Sequence, residues 1–225
     1  MSTQAAGRPR PAPILAERGM AVFDMDSTLI DMECIDAIAA AAGCGEKVAA
    51  ITERAMRGEI DFVASLTERV AALKGVHLEV LDTIRDELPV MPGVAELLTT
   101  LRERRWRTVL VSGGFTWFAD ELARRFNFDV VVSNYLEIDD NDCLTGTLGG
   151  RIVDAEVKAD TLVQLTNQYG LPRSQVLAVG DGANDLPMLQ AAGFGIAFMA
   201  KPILRDVADY CLDEKDLSRI LTLLR

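Results

Sequence analysis

The chain has 225 residues, of which 49% are hydrophobic and 25% are charged. This composition is typical of a globular protein and excludes a disordered, collagen-like or coiled-coil chain. The 34 acidic residues outnumber the 23 basic ones and leave a net charge of −11, which argues against nucleic acid and anionic membranes as partners. We therefore expect the ligand to be a small molecule.

The cysteine and histidine content excludes several kinds of catalytic site. The four cysteines, Cys34, Cys44, Cys143 and Cys211, are far apart and lack the spacing of a zinc site, so we expect reduced thiols. The single histidine, His77, excludes a histidine metal cluster and disfavours a Ser-His-Asp triad. Catalysis must therefore use other groups.

The chain begins with a segment that is rich in proline and arginine. This composition predicts a flexible tail over residues 1–18. No continuous apolar stretch follows that could form a signal peptide or a membrane span, so we expect no membrane partner and a cytoplasmic location.

Short apolar segments alternate with helical patterns along most of the chain. The apolar segments predict five buried parallel strands, over residues 19–25, 107–114, 128–134, 175–182 and 193–198. Helical periodicity predicts four helices between them, over residues 94–104, 117–126, 156–169 and 186–192. This alternation predicts the α/β fold class, with a doubly wound parallel sheet.

Two stretches interrupt the alternation. From residue 31 to residue 88, apolar residues recur at helical spacing without a strand-like run, which predicts an inserted all-helical cap. Residues 134–153 carry turn residues between β-prone pairs and predict a small β-hairpin. The segments 19–30 and 89–225 then form the predicted catalytic core.

Four short polar motifs lie at the ends of the predicted strands or in the helices that follow them. In chain order they are DMDST at 24–28, SGG at 112–114, a lysine at position 158 and GDGANDLPM at 180–188. Each motif alone has an ordinary structural explanation as a turn, a helix cap or a solvated lysine. Because ligands of doubly wound sheets bind beyond the carboxyl ends of the strands, we expect the motifs to meet there.

In this order the four motifs resemble those of the haloacid dehalogenase-like phosphohydrolase superfamily. The pattern of that superfamily is DxDx[TS], then Ser or Thr, then Lys, then a glycine-rich acidic motif, and all four parts match between positions 24 and 185. The resemblance implies a Rossmann-like core and phosphoryl transfer through an aspartyl phosphate.

The acidic residues of the motifs favour a bound cation. Asp24, Asp26, Asp181 and Asp185 would crowd negative charge into one cleft, which is costly unless a hard divalent ion binds there, and Mg²⁺ fits best. The resemblance implies that the ligands are the Asp24 carboxylate, the Asp26 backbone carbonyl and Asp181. It implies that Asp185 acts through water or through contacts with these ligands.

Two aspartates are the candidates for the chemical steps. Asp24 is the candidate nucleophile, because an ionised carboxylate needs no base to activate it. Asp26 is the candidate general acid and base, a role for which its pKa must be raised by burial and by neighbouring carboxylates.

The remaining polar residues of the motifs are candidates for binding phosphate. Lys158 would add a fixed positive charge. Ser112, the backbone N–H of Gly113 and the side chain of Asn184 can donate hydrogen bonds to the phosphate oxygens.

Residues of the predicted cap are the candidates for selecting the substrate. Glu33 and Arg69 could bind the ammonium and carboxylate groups of an amino acid, although a helix-starting glutamate and a solvated arginine also explain them. The runs FDMDSTLIDMECID, which begins at Phe23, and MRGEIDFVASLTERVAALKG, which begins at Met56, resemble phosphoserine phosphatases within the superfamily. The resemblance implies that Glu33, Met56, Phe62 and Arg69 contact O-phosphoserine, whose hydrolysis is the last step of serine biosynthesis.

Three alternative functions remain open at this point. The enzyme could transfer the phosphoryl group to another hydroxyl acceptor such as homoserine, or it could hydrolyse a different small phosphoester. A phosphoaspartate signalling module also combines clustered acids, a hydroxyl residue, a lysine and Mg²⁺, but such modules lack a long helical insertion. No oligomeric state follows from the sequence.

Overall fold

The computed structural model describes residues 10–225, which are built around a seven-stranded sheet. The strands are β1 (Met20–Phe23), β2 (Arg107–Phe115), β3 (Val130–Ile138), β4 (Leu144–Gly149), β5 (Val176–Gly180), β6 (Phe194–Phe198) and β7 (Tyr210–Leu212). Their order across the sheet is β4-β3-β2-β1-β5-β6-β7, and every neighbouring pair is parallel except β3 and β4. The predicted α/β fold class is confirmed.

The α-helices of the described residues include four at the positions predicted between strands, and also two short helices after β6 that were not predicted. They are α1 (Cys34–Ala41), α2 (Gly45–Met56), α3 (Phe62–Ala72), α4 (Leu78–Asp86), α5 (Val94–Glu103), α6 (Thr116–Phe126), α7 (Ala155–Gln168), α8 (Leu186–Ala191), α9 (Pro202–Arg205) and α10 (Ile220–Leu223). Helices α1 to α4 succeed one another without a strand between them, within the stretch predicted to be a helical cap. Among residues 10–225, none of the helices has the length and apolar content needed to cross a membrane.

The central strand β1 lies where the strand order changes direction. It pairs with β2 on one side and with β5 on the other, and Phe23 is level with both Leu110 and Val179. The chain therefore leaves β1 toward one edge of the sheet and returns to its other side at β5. Such a switch point leaves a crevice at the carboxyl ends of the strands, where ligands bind.

Both faces of the sheet are covered, and this explains the continuous apolar runs in the strands. The four residues of β1 are completely buried. Ala21 and Phe23 pack into one hydrophobic cluster, and Met20 and Val22 pack into a second cluster. Because successive side chains of a strand point to opposite faces, a strand between two helical layers needs apolar residues at every position.

The β-hairpin was predicted from the sequence, whereas the edge strand β7 was not. Strands β3 and β4 form the predicted antiparallel hairpin, and the Asp139 carboxylate accepts hydrogen bonds from the N–H groups of Asn141 and Cys143 in its turn. Strand β7 was not predicted, because three residues are too few to show a periodic pattern.

The described part of the predicted tail is packed against the core rather than flexible. The guanidinium of Arg10 lies 2.7 Å from the carboxylate of Asp209 and also donates hydrogen bonds to carbonyl groups at the end of α8. Composition alone could not predict this contact, because the partners are 199 positions apart. Residues 1–9, which also belong to the predicted tail, lie outside the described residues.

A buried glutamine gives a test of this packing. The Gln175 side chain accepts a 2.7 Å hydrogen bond from the N–H of Ile14 and donates a 3.1 Å bond to its carbonyl. Gln175→Ala leaves both backbone groups without this partner, so we expect the free energy of unfolding to fall by about 1–3 kcal/mol. Urea unfolding measures it, with Gln164→Ala on the exposed face of α7 as the control. Equal stability of both variants would contradict this account of the packing.

Candidate active site

The predicted site residues converge on one cavity between the carboxyl ends of the central strands and the cap. Its volume is about 560 Å³. Ten of the twelve predicted site residues line it, namely Asp24, Asp26, Glu33, Met56, Phe62, Arg69, Ser112, Gly113, Asp181 and Asn184. The other two, Lys158 and Asp185, are fully buried.

A buried lysine joins two carboxylates at the base of the cavity. The Nζ atom of Lys158 lies 2.8 Å from Oδ2 of Asp24 and 2.8 Å from Oδ1 of Asp185. Burial alone would lower the pKa of Lys158, but the charges of Asp185 and Asp24 outweigh this effect and raise it above its ordinary value. The ammonium group therefore stays charged, and it orients one oxygen of the candidate nucleophile.

Lys158 lies near the start of α7. Asn134, which the sequence analysis did not single out, connects the loops around it. Asp154 caps α7 by accepting a hydrogen bond from the N–H of Val157, one residue before Lys158. The Asn134 side chain accepts a 2.8 Å hydrogen bond from the N–H of Val153 and donates a 2.8 Å bond to the carbonyl of Gly113. A single buried amide thus ties the SGG motif to the helix that carries the lysine.

The Asp185 side chain binds backbone N–H groups of its own motif and so holds the loop after β5. Its Oδ2 atom accepts 3.1 Å hydrogen bonds from the N–H groups of Asp181 and Gly182. A Cβ atom at Gly180 would lie only 2.3 Å from Cγ of Asp185, so only glycine fits there. The spacing of the GDGAND motif thus lets the Asp185 carboxylate bind the backbone at Asp181.

Three carboxylates are close enough together to hold a metal ion. Asp24, Asp181 and Asp185 each offer an oxygen, and these oxygens lie within 4.8 Å of one another. Burial raises the pKa of Asp181 to about 7, with further contributions from the charges of Asp24 and Asp185. Burial and Asp24 also raise the pKa of Asp185. A cation with oxygen ligands would relieve this repulsion, so the donor set fits a divalent metal ion.

Asp26 has the protonation behaviour that a general acid needs. Burial raises its pKa to about 8, and the negative charges of Glu33 and Asp24 add to the effect. The thiol of Cys34 opposes it by donating a 2.9 Å hydrogen bond to Oδ1. A pKa of about 8 favours the protonated form of the Asp26 carboxyl at neutral pH.

The SGG motif brings the backbone close to the acids and to the cap. Ser112 is buried, and its hydroxyl oxygen accepts a 2.9 Å hydrogen bond from the N–H of Gly114, which leaves the hydroxyl hydrogen for another acceptor. A Cβ atom at Gly113 would lie 3.1 Å from the ring of Phe62, and one at Gly114 would lie 3.1 Å from Oδ2 of Asp26. Because neither glycine has a side chain, Phe62 can approach the motif at Gly113 and Asp26 can approach it at Gly114.

The cap contributes one acid, one arginine and several apolar side chains to the cavity, with Met56 and Phe62 among the apolar ones. The Ser27 hydroxyl donates a 2.7 Å hydrogen bond to the Glu33 carboxylate. Burial lowers the pKa of Arg69, although nearby carboxylates oppose the shift. Phe62 is half-buried, whereas Met56 is 80% exposed. The cap side of the cavity therefore carries one negative charge, one positive charge and apolar surface.

One further cation at the cavity was not predicted from the sequence. Lys201 is exposed and lines the cavity, and its backbone N–H donates a 3.1 Å hydrogen bond to the carbonyl of Asp181. It follows β6, a strand that ends without an acidic or glycine-rich motif. Its position near the carboxyl end of a predicted strand is the only feature of the sequence that points to Lys201.

Comparison with known proteins is consistent with this geometry. A model of the haloacid dehalogenase-like hydrolases matches residues 20–193. The chain belongs to this family. The matched range includes the DMDST, SGG and GDGANDLPM motifs and Lys158.

Within this family, similar proteins include phosphoserine phosphatases. The phosphoserine phosphatase of Idiomarina loihiensis is 52% identical over 92% of this chain and 94% of its own length. That of Haemophilus influenzae is 47% identical over 95% of this chain and 68% of its own length. A solved structure of a substrate-bound phosphoserine phosphatase complex has a TM-score of 0.87 and 35% identity, over 93% of this chain and 99% of that one.

The crowded carboxyl groups predict an unusual pH dependence of stability without metal. The pKa values of Asp26 and Asp181 are raised to about 8 and about 7, so both bind protons more tightly in the folded state than in the unfolded state. As pH rises, the unfolded chain loses these protons first, and the free energy of unfolding falls between pH 5 and pH 8.

Urea unfolding in a chelating buffer at pH 5, 6.5 and 8 measures this dependence. Asp26→Asn removes the group with the higher of the two pKa values and should flatten the decline. A free energy of unfolding that rises over this range in the unsubstituted chain would contradict the described crowding of carboxyl groups.

Proposed function

We propose that this protein hydrolyses O-phosphoserine to serine and phosphate. The proposal rests on one observation, that a single cavity holds both the DxD carboxylates and a pair of opposite charges on the cap. Asp24 and Asp26 suit the phosphate end of a substrate, and Glu33 and Arg69 suit its ammonium and carboxylate groups. The identity of 52% and 47% to two phosphoserine phosphatases supports the same substrate.

In the first step the phosphoryl group moves to the protein. The Asp24 carboxylate attacks phosphorus, and the bond between phosphorus and the serine oxygen breaks. The departing alkoxide takes the proton that Asp26 carries at neutral pH. Serine leaves as the free alcohol, and Asp24 is an aspartyl phosphate.

In the second step water releases the phosphate. Asp26, now ionised, takes a proton from a water molecule, whose oxygen attacks phosphorus. The bond between phosphorus and the Asp24 oxygen breaks, and inorganic phosphate leaves. Asp24 is again a carboxylate and Asp26 is again protonated, so the cycle closes without any other base.

We assign Mg²⁺ to the acidic cluster. The carboxylates of Asp24 and Asp181 and the backbone carbonyl of Asp26 would hold it. Asp185 is bonded to the Lys158 ammonium and to the N–H groups of Asp181 and Gly182, so we assign it the role of holding Asp181 beside the ion. When bound, the ion offsets the repulsion between the Asp24 carboxylate and the phosphate dianion.

The substrate phosphate needs donors on its other oxygens. The Ser112 hydroxyl, the Gly113 N–H and the Asn184 side chain provide them, since all three residues line the cavity. Lys201 adds a positive charge at the exposed side. Lys158 is completely buried, so it acts by holding Asp24 in place and by contributing positive charge beneath it.

The cap selects the substrate by charge. Arg69 binds the carboxylate of phosphoserine, and Glu33, which the Ser27 hydroxyl holds, binds its ammonium group. Phe62 and Met56 cover the short carbon chain. We place the reaction at the last step of serine biosynthesis, in the cytoplasm.

Replacing the cap arginine tests the substrate assignment. Arg69→Ala should raise KM for O-phosphoserine about 10- to 100-fold, because one charge-assisted contact is lost. KM for p-nitrophenyl phosphate, which has no carboxylate, should change less than about threefold. The measurement is phosphate release in the presence of Mg²⁺. Arg57→Ala, which removes an exposed arginine of the same cap, is the matched control.

The same assay separates the alternative functions. Equal losses on both substrates would mean that Arg69 does not bind the substrate. Release that stops at one phosphate per chain would indicate a signalling module, and faster consumption of phosphoserine with homoserine present would indicate phosphoryl transfer. Asp24→Asn serves as the inactive reference.

A further inference from the structure

A second cavity lies at the opposite end of the sheet from the catalytic one. Its volume is about 390 Å³. Its lining includes Gly19, which precedes β1, Arg107, which begins β2, and Asp129, which precedes β3. These positions are the amino ends of parallel strands, whereas the catalytic cavity lies at their carboxyl ends. The two cavities are therefore separate sites.

The second cavity concentrates positive charge in an acidic protein. Four exposed arginines line it, Arg18, Arg102, Arg105 and Arg107, together with a single carboxylate, that of Asp129. The chain as a whole carries a net charge of −11, so its general field repels anions. The lining of this cavity has a local excess of three positive charges, opposite in sign to the net charge of the chain.

Most of this charge is available to a ligand. Arg107 pairs with Asp129 at 2.6 Å and stacks over the ring of Tyr169, with 5.2 Å between the guanidinium carbon and the ring centroid. For Arg18, Arg102 and Arg105, no carboxylate of residues 10–225 lies within ion-pairing distance. Arg102 donates a hydrogen bond to the carbonyl of Phe126, and three arginines at this cavity have no neutralising acid among residues 10–225.

The backbone holds one of these arginines in a strained conformation. Arg105 has φ +61°, two residues after the end of α5, where glycine would avoid the strain. The next residue, Trp106, is almost completely buried, and a Cβ atom at Gly19 would lie 2.7 Å from its ring. Packing of Trp106 against Gly19 therefore holds this turn in place, with Arg105 at the cavity wall.

We propose that this basic cavity, formed by Arg18, Arg102, Arg105 and Arg107, binds a small anion that carries two or more phosphate groups. Guanidinium groups bind phosphate oxygens in pairs, and several of them around one cavity match an anion with several phosphates. The volume lies within the range of small-molecule sites. The inference does not depend on the proposed catalytic function.

Calorimetric titration with inorganic tripolyphosphate tests the proposal, at low ionic strength and with a chelator present. The double variant Arg18→Ala with Arg105→Gly should bind at least about tenfold more weakly than the unsubstituted chain, because two of the guanidinium contacts are lost. Glycine adopts φ +61° without strain, so the melting temperature should change by no more than about 3 °C.

The control is a second double variant, Arg124→Ala with Arg219→Ala, which removes the same number of charges from exposed positions elsewhere. It should change the dissociation constant less than about twofold, and added salt should weaken binding to the unsubstituted chain. Equal weakening in both double variants, unchanged binding in the first, or no binding at millimolar tripolyphosphate would each overturn the proposal.

A parallel titration with ATP distinguishes the sources of such an anion. Tighter binding of ATP than of tripolyphosphate would support the site and indicate a nucleotide, because the added contacts then come from the nucleoside. Equal binding would support the site and indicate that the phosphate chain alone is recognised. Both ligands should lose affinity in the first double variant.

Discussion

A lysine ammonium held between two carboxylates, away from water, is the interaction on which the catalytic end of the molecule depends. Burying any one of these ions alone would be costly, and removing one partner of such a group costs about 3–5 kcal/mol because the remaining charge is uncompensated. Lys158 on α7 thereby ties Asp24, at the end of β1, to Asp185, after β5. Without it, the two neighbouring strands would present repelling carboxylates to each other.

The architecture of the sheet supplies the rest of the site. Strands β1 and β5 are direct neighbours, so the residues that follow them meet although they are far apart in the sequence. The cap then closes the other side of the cavity with Glu33 and Arg69. In the proposed function, the reacting groups come from the core and the recognition groups from the cap, so phosphate chemistry is separate from the choice of leaving group.

Much of this was predictable from the sequence, because the decisive patterns are local. Buried strands are continuous apolar runs, and the motif residues follow them directly. Asn134 and Lys201 were missed because their importance comes from contacts with distant loops. Residues 10–18 were predicted to be flexible because their composition resembles that of a tail, whereas the partners that hold them, such as Asp209, are more than 150 positions away.

The central claim is that Asp24 accepts the phosphoryl group. Mixing the protein briefly with O-phosphoserine and Mg²⁺, quenching in acid and reducing with borohydride converts an aspartyl phosphate into homoserine, which peptide mass spectrometry locates. The account predicts homoserine at position 24, and none at that position in Asp24→Asn. Homoserine at another position, or none while hydrolysis proceeds, would contradict it.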